Sequence, residues 1–270
     1  MLGKLIKHEW KSTYKMGCLM LGAMAVITFL GWLSFQAPFW KSLTSTSGSV
    51  SWLDIFSMFT MMIYVTLLAC VIFGIRVYLG VHFYRTMYTD QGYLTHTLPV
   101  TKHQILVSKI TVSGLWTLLV LISVYLSLFI LAFSMVWAVA PEWYVPADIM
   151  MGIWDILLEM ESLFGFRATH FVGMWIAVSL IGSFTSNMIL FGGISLGQLA
   201  SRAKLFLGIV FYILIVVAEQ MIVSLFRSFA DSFGIYMNLK MDLQFIVDLL
   251  AAALLYAATY MIISKKLNLV

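Results

Sequence analysis

The chain is 270 residues long, 62% hydrophobic and only 10% charged, with a mean hydropathy of +0.98 and a net charge of +4. A soluble globular domain carries about a quarter of its residues as charged side chains, so that class is excluded and an all-α integral membrane protein is expected. The excess of positive charge is a topology signal and carries no nucleic-acid inference.

A helix needs roughly 20 mostly apolar residues to cross the hydrocarbon core. Six such runs occur: Met16 to Phe35, Ile55 to Tyr78, Ile110 to Trp137, Phe171 to Leu196, Leu205 to Phe226 and Leu243 to Ser264. They leave no room for a soluble catalytic domain, so residues 1–270 form a single transmembrane domain. Lys and Arg are retained on the cytoplasmic side. With the N-terminus inside, the inner segments hold twelve of them: Lys4, Lys7, Lys11, Lys15, Arg76, Arg85, Lys102, Lys109, Arg202, Lys204, Lys265 and Lys266. The outer segments hold four, Lys41, Arg167, Arg227 and Lys240. Both termini are therefore expected in the cytoplasm.

In chain order, residues 1–15 form an amphipathic helix with Leu2, Leu5, Ile6 and Trp10 on one face and Lys4, Lys7, Lys11 and Lys15 along another. Such a helix lies in the membrane interface with its basic face toward anionic headgroups; packing on a cytoplasmic partner is the alternative use. The run 16–35 exceeds the apolar region of a secretory signal and no small-x-small cleavage site follows it, so it reads as a retained first span. Gln36 to Trp52 is an external connection whose Phe39, Trp40 and Trp52 suit the bilayer interface.

The second span leads at Arg76 into the longest polar interruption on the inner side, which ends at Lys109. Gly92 supplies a break there, Pro99 stops any helix running in from upstream, and Thr101-x-x-Gln104 is a capping box. A short helix over about Lys102 to Lys109 then enters the third span. A loop with its own capped helix is built to touch something.

Within the third span, Ser113 with Thr117 and Ser123 with Ser127 form two i,i+4 hydroxyl pairs. Helical hydroxyls of this kind usually bond their own backbone or a neighbouring helix. Ala138 to His170 is the largest external segment, and Asp148 to Phe164 reads as an amphipathic surface helix with Ile149, Ile153, Ile156, Leu157 and Met160 on one face. Its acids follow Glu142 in a strongly acidic stretch: Asp148, Asp155, Glu159 and Glu161. Glu159 and Glu161 sit two apart on different faces, so they form a solvated acidic surface rather than an acid/base pair.

The fourth span carries small residues at Ser179, Gly182, Ser183, Ser186, Gly193 and Gly197, a pattern for close helix packing in lipid, with Asn187 placed to hydrogen-bond across the contact. Glu219 follows Lys204 by fifteen residues and Asp248 precedes Lys265 by seventeen. At 1.5 Å per residue both lie about 22–26 Å from the inner edge. Intramembrane acids are costly and point to function. If instead the fifth span is short and residues 220–242 re-enter or cap the outer leaflet, both acids meet water; the sequence leaves the two readings open.

Several chemistries are missing. No G-x-x-x-x-G-K-[ST] phosphate loop occurs, nor H-E-x-x-H, nor G-x-S-x-G. His8, His82, His96, His103 and His170 lack metal-ligand spacing. Phe166-x-x-x-His170 is similar to one motif of the intramembrane prenyl-protein proteases, but the E-E-x-x-x-R motif of that group is missing. Cys18 and Cys70 fall in the inner halves of their spans, which excludes a disulfide framework. No catalytic residue and no metal site are assigned.

Leu98-Pro99-Val100-Thr101-Lys102, preceded by Gly92-Tyr93-Leu94 and followed by a short helix ending at Ser108-Lys109, resembles the inner loop between the second and third spans of type 2 ABC transporter permeases. It is most similar to short Gram-positive-type members linked to peptide or drug efflux and bacteriocin self-protection. The likeness covers the architecture of the whole chain and about twenty residues of motif. It implies the membrane subunit of a bacterial exporter, in which Leu98, Pro99, Val100, Thr101, Lys102, His103 and Gln104 form a coupling helix seated on a separate cytoplasmic ATPase. ATP and Mg would be held by that partner, a second permease chain would complete the transporter, and the substrate would be an amphipathic peptide or lipophilic drug. One departure stands out: the third external connection is longer than the fifth. The alternative reading is a non-transporting scaffold or immunity protein that binds a peptide at its acidic external face.

Overall fold

A computed structural model describes residues 2–34, 52–97, 99–139, 168–200, 203–232 and 237–265, with 151–152, 154–156, 158–159 and 161–162. The helices are α1 Leu2–Ser34, α2 Trp52–Tyr88, α3 Asp90–His96, α4 Lys102–Val139, α5 Ala168–Gly197, α6 Lys204–Ser232 and α7 Met237–Lys265. Pro99 falls outside them, between α3 and α4, as expected of a residue that removes a donor and clashes with the preceding turn. All but α3 contain a stretch long and apolar enough to cross a membrane, so the chain is a multi-pass membrane protein. No strand occurs among the described residues.

Several expectations lie outside the described residues: Leu98, Phe39, Trp40, Lys41, Glu142, Asp148, Ile149, Ile153, Leu157, Met160, Arg167, Arg202 and Lys266. Around them, the described positions from 151 to 162 are helical, with Asp155 and Glu159 exposed.

The helices outrun the apolar stretches that mark them. α1 is continuous from Leu2 to Ser34, so the basic amphipathic segment and the first apolar run form one unbroken helix. Its division into faces is as expected: Lys4, Lys7, Lys11 and Lys15 are exposed, while Leu2, Leu5, Ile6 and Trp10 are partly covered. The helix after Pro99 is likewise continuous with the third span as α4. α6 runs unbroken through Gln220 to Ser232 and α7 begins at Met237. The described part of 220–242 is thus helical throughout, without a re-entrant break.

The residues divide into two compact units. The first takes 1–13, 76–118 and 159–270; the second takes 14–75 and 119–158. In the first, α5 packs along both α6 and α7. Its small residues are what permit this: a Cβ added to Gly197 would sit 2.3 Å from the Gly208 nitrogen, and one added to Gly193 would sit 2.7 Å from the Tyr212 Cα. Backbone approach of this kind is how helices associate where lipid offers no hydrophobic drive. Phe83, Met87, Leu106, Phe191, Ile194 and Ile263 form a buried cluster from α2, α4, α5 and α7, and the Phe83 and Phe191 rings stack with centroids 4.0 Å apart.

In the second unit α1, α2 and α4 are joined by hydroxyls. Thr28 Oγ1 donates to the Met24 carbonyl and lies 2.7 Å from Ser127 Oγ, which also hydrogen-bonds the Tyr64 hydroxyl. Ser127 is 1% exposed. Beside this chain a cavity of about 560 Å³ opens between α1 and α4, lined by Met24, Phe29, Trp32 and Leu126 with the hydroxyls of Thr28 and Ser123.

Candidate functional site

In the first unit, the ends of α2, α5 and α7 meet the starts of α1 and α4 around the 89–101 turn; this is termed the loop end. α2 stops at Tyr88, and Thr89 turns the chain with φ −112° and ψ −167° before α3 begins. The break therefore falls at Thr89, not at Gly92. Gly92 is buried inside α3, where an added Cβ would lie 2.5 Å from the Met87 carbonyl oxygen. Only a residue without a side chain lets the short helix fold back against the end of α2. The hydroxyl of Thr95 donates to the Thr86 carbonyl, 3.1 Å away, and holds α3 there.

Beyond Pro99, the Gln104 N–H donates to Thr101 Oγ1 at 3.3 Å, so Thr101 caps α4 as its spacing implies. Lys102 has a structural duty: its Nζ donates to the Ile263 carbonyl at 3.0 Å and reaches the Ser264 carbonyl at 3.4 Å. A cation at these orphan carbonyls complements the negative end of the α7 dipole. His103 hydrogen-bonds the Tyr256 hydroxyl, and its ring also meets Tyr260 edge-on. Val100 packs on the loop-end cluster. Of the loop motif, Pro99, Thr101 and His103 are left exposed. Among the described residues of the turn, the most exposed apolar side chains belong to α3: Tyr93 is 63% and Leu94 69% exposed.

Beneath this turn lies a buried ionic network that the sequence reading did not find. Lys109, 4% exposed, donates to Glu9 Oε1 at 2.9 Å and to Thr86 Oγ1 at 2.7 Å. His82 Nε2 donates to the same Glu9 oxygen at 3.0 Å, and Thr86 passes its own proton to the His82 carbonyl at 2.8 Å. One turn on, Thr13 Oγ1 donates to the Glu9 carbonyl and accepts from Trp116 Nε1 at 3.0 Å. The Trp116 indole stacks on Trp10 at 4.5 Å. The first turns of α1 are thus clamped to α2 and α4. A signal existed: Glu9 is the only acid before Asp54, set among lysines on a helix with an apolar face.

Deeper in the first unit lies a second polar level. Asn187, 2% exposed, donates through Nδ2 to Thr117 Oγ1 at 2.8 Å and to the Ser183 carbonyl at 2.7 Å. This ties α5 to α4 across the expected contact. The Gly193–Tyr212 and Gly197–Gly208 contacts fix an antiparallel register for α5 and α6, and Gly192–Leu255 fixes a parallel one for α5 and α7. Counted along these registers, Glu219 stands level with Ser186 and Asp248 level with Thr185. The two acids therefore share a depth and lie next to the Asn187 level. Glu219 is 8% exposed, and its Oε1 is buried with no hydrogen-bond partner. Asp248 Oδ1 accepts from Gln244 Nε2 at 2.9 Å, and Gln244 Oε1 accepts from Arg227 Nη2 at 3.4 Å. Among the described residues, no group of three or more His, Cys, Asp or Glu is placed to hold a metal ion.

Of the residues assigned from sequence, the loop motif and Asn187, Glu219 and Asp248 all belong to the first unit, at two separate levels. Comparison with known protein families, curated proteins and solved structures finds no match to this chain.

Proposed function

We propose that this chain is the membrane-spanning permease subunit of an ATP-binding-cassette exporter in a bacterial cell membrane. It moves an amphipathic or lipophilic substrate outward with energy from a separate cytoplasmic ATPase. The observation that carries the reading is the construction of the 89–101 turn. A short helix exposes Tyr93 and Leu94, while its base is tied to α2 through Thr95, and the adjoining start of α4 is tied to α7 through Lys102 and His103. A surface that only needed to be soluble would not expose two large apolar side chains on so firmly seated a helix.

Such a mount transmits force. A push on α3 reaches α2 directly, and the Glu9–Lys109 and His82 bonds pass it on to α1 and α4. ATP-driven closure of a partner gripping α3 would then move several helices together, as a switch between two discrete packings requires. In this reading the termini and the turn are cytoplasmic, α3 carries the contact made by the 98–104 phrase in the resemblance, and two permease chains pair with two ATPase chains. ATP and Mg belong to the partner.

The test is the ATPase activity of the partner, purified with and without this chain in lipid. The chain is expected to change hydrolysis severalfold. Tyr93→Ala with Leu94→Ala should abolish that change with the membrane domain still folded, and Pro99→Ala with Thr101→Ala should weaken it. Hydrolysis that responds equally to wild type and to the Tyr93/Leu94 variant would reject the reading.

A further inference from the structure

The cavity of the second unit is unused by the coupling scheme, and its walls follow from helical spacing. Ala25, Thr28 and Trp32 recur at three- and four-residue steps along α1, and Ser123, Ser127 and Ile130 do the same along α4, so each helix contributes one stripe. α2 closes one side of this pair. Tyr64 sits against Gly31, where an added Cβ would lie 2.8 Å from its ring, and its hydroxyl reaches Ser127. The other side is open: Ala25, Phe29 and Leu126 are exposed around a space of about 560 Å³. Proteins hold small molecules in clefts of about 300–1,000 Å³.

Two features of the wall select what can sit there. None of the described lining residues is charged, so an ionised ligand would lose its hydration with no counter-charge to replace it. The second feature is the direction of the hydroxyl protons. A hydroxyl has one proton to donate and two lone pairs with which to accept. Ser123 Oγ donates its proton to the Val120 carbonyl at 2.7 Å. Thr28 Oγ1 has two acceptors for its single proton, the Met24 carbonyl and Ser127 Oγ, each at 2.7 Å; in either case that proton is taken. Ser127 is 1% exposed, whereas Thr28 and Ser123 are partly open, so these two hydroxyls are the ones a ligand can reach. They are close together, since Thr28 touches Ser127 and Ser123 stands one turn, about 5.4 Å, from Ser127 along α4. Both oxygens therefore turn lone pairs, and no proton, toward the cavity. At the wall Trp32 is engaged by Phe29, with ring centroids 6.3 Å apart.

We propose that the cavity between α1 and α4 is a binding site for a neutral lipophilic molecule that carries an O–H or N–H, donated to Thr28 Oγ1 and Ser123 Oγ. Phe29, Trp32, Leu126 and Ile130 take its apolar body. The open side faces the surroundings of the helices, so such a molecule enters from the hydrocarbon phase in which it is already dissolved. A lipid acyl chain fits the same space but leaves both oxygens unused. A molecule whose polar atoms only accept does no better, because the two hydroxyls have no proton to give it.

The site needs neither an ATPase nor a second chain, so this inference and the exporter reading can fail separately. The test uses the full chain alone in lipid nanodiscs at neutral pH, with radiolabelled 4-nonylphenol as the donor-bearing probe. Its methyl ether, 4-nonylanisole, has the same body and an acceptor oxygen but no donor. Empty nanodiscs correct for partition into lipid. The phenol should bind saturably and about three- to tenfold more tightly than the ether, the range that one hydrogen bond supplies. Thr28→Val combined with Ser123→Ala should bring the phenol down to the affinity of the ether and leave the ether unchanged, a result that a disturbed fold would not give. Ala25→Phe, which fills the cavity from an exposed position, should remove the binding of both. The ratio of phenol to ether is read on the unaltered chain, so a folding defect in a variant leaves a decisive measurement. Absence of saturable binding, equal affinity for the two probes as expected of a cavity that only holds acyl chains, or a phenol affinity untouched by the double variant would overturn the proposal.

Discussion

The three helices α1, α2 and α4 are pinned together twice, by opposite chemistry. In the first unit the pin is ionic: Glu9 of α1 accepts from His82 of α2 and Lys109 of α4. In the second it is neutral: Thr28 of α1 and Tyr64 of α2 meet at Ser127 of α4. The ionic pin is directional and severe when broken, because removing one member leaves a charge buried without its counterpart. The hydroxyl pin is cheap, since each group retains a backbone partner or exchanges one neutral bond for another. A packing change would therefore be resisted strongly at the loop end and weakly beside the 560 Å³ cavity.

The difference can be broken where it is largest. Lys109→Met, which strands Glu9, should cost about 3–5 kcal/mol and markedly lower the thermal unfolding temperature in detergent. Lys109→Met combined with Glu9→Gln should recover much of that loss, since the desolvated charge is then gone from both sides. If the double variant is no better than the single one, the stability of the loop end comes from packing and not from the ion pair. In the second unit Ser127→Ala removes the shared hydroxyl from both Thr28 and Tyr64 and should cost about 1–2 kcal/mol by the same measurement. Thr28→Val is the smallest change, about 0.6 kcal/mol, because Tyr64 and Ser127 retain their own bond. A Ser127→Ala loss as large as that of Lys109→Met would erase the contrast between the two pins.

Much of the architecture was legible because it is written locally. The six spans follow from runs of apolar residues, and the close approach of α5 to α6 follows from Gly193 and Gly197 standing one turn apart. The cap at Thr101 was legible in the same way, since its bond reaches only three residues along. What the sequence does not show also has a common cause. Gly92 was read as a break by its lack of a side chain, but that feature is used for close contact with Met87 inside α3. Lys102 has a second duty that its place in the loop phrase does not reveal: its ammonium serves the end of α7, 161 residues away. The amphipathic pattern of residues 1–15 suits a membrane surface as well as a protein one and does not show that Glu9 and Trp10 meet Lys109, His82 and Trp116.

By itself, then, the sequence determined the class, the number of spans and which stretches carry the polar turns, because hydropathy, capping and proline exclusion act within a few residues. The tertiary structure alone decided which charges are partnered. Glu9 and Lys109 are 100 residues apart and Glu9 and His82 are 73 apart, and no local pattern encodes such meetings. It also decided that Glu219 and Asp248 share one level, since that depends on the registers set by glycine contacts between α5, α6 and α7. A buried charge owes its behaviour to whatever stands across from it, and only the packed helices place that neighbour.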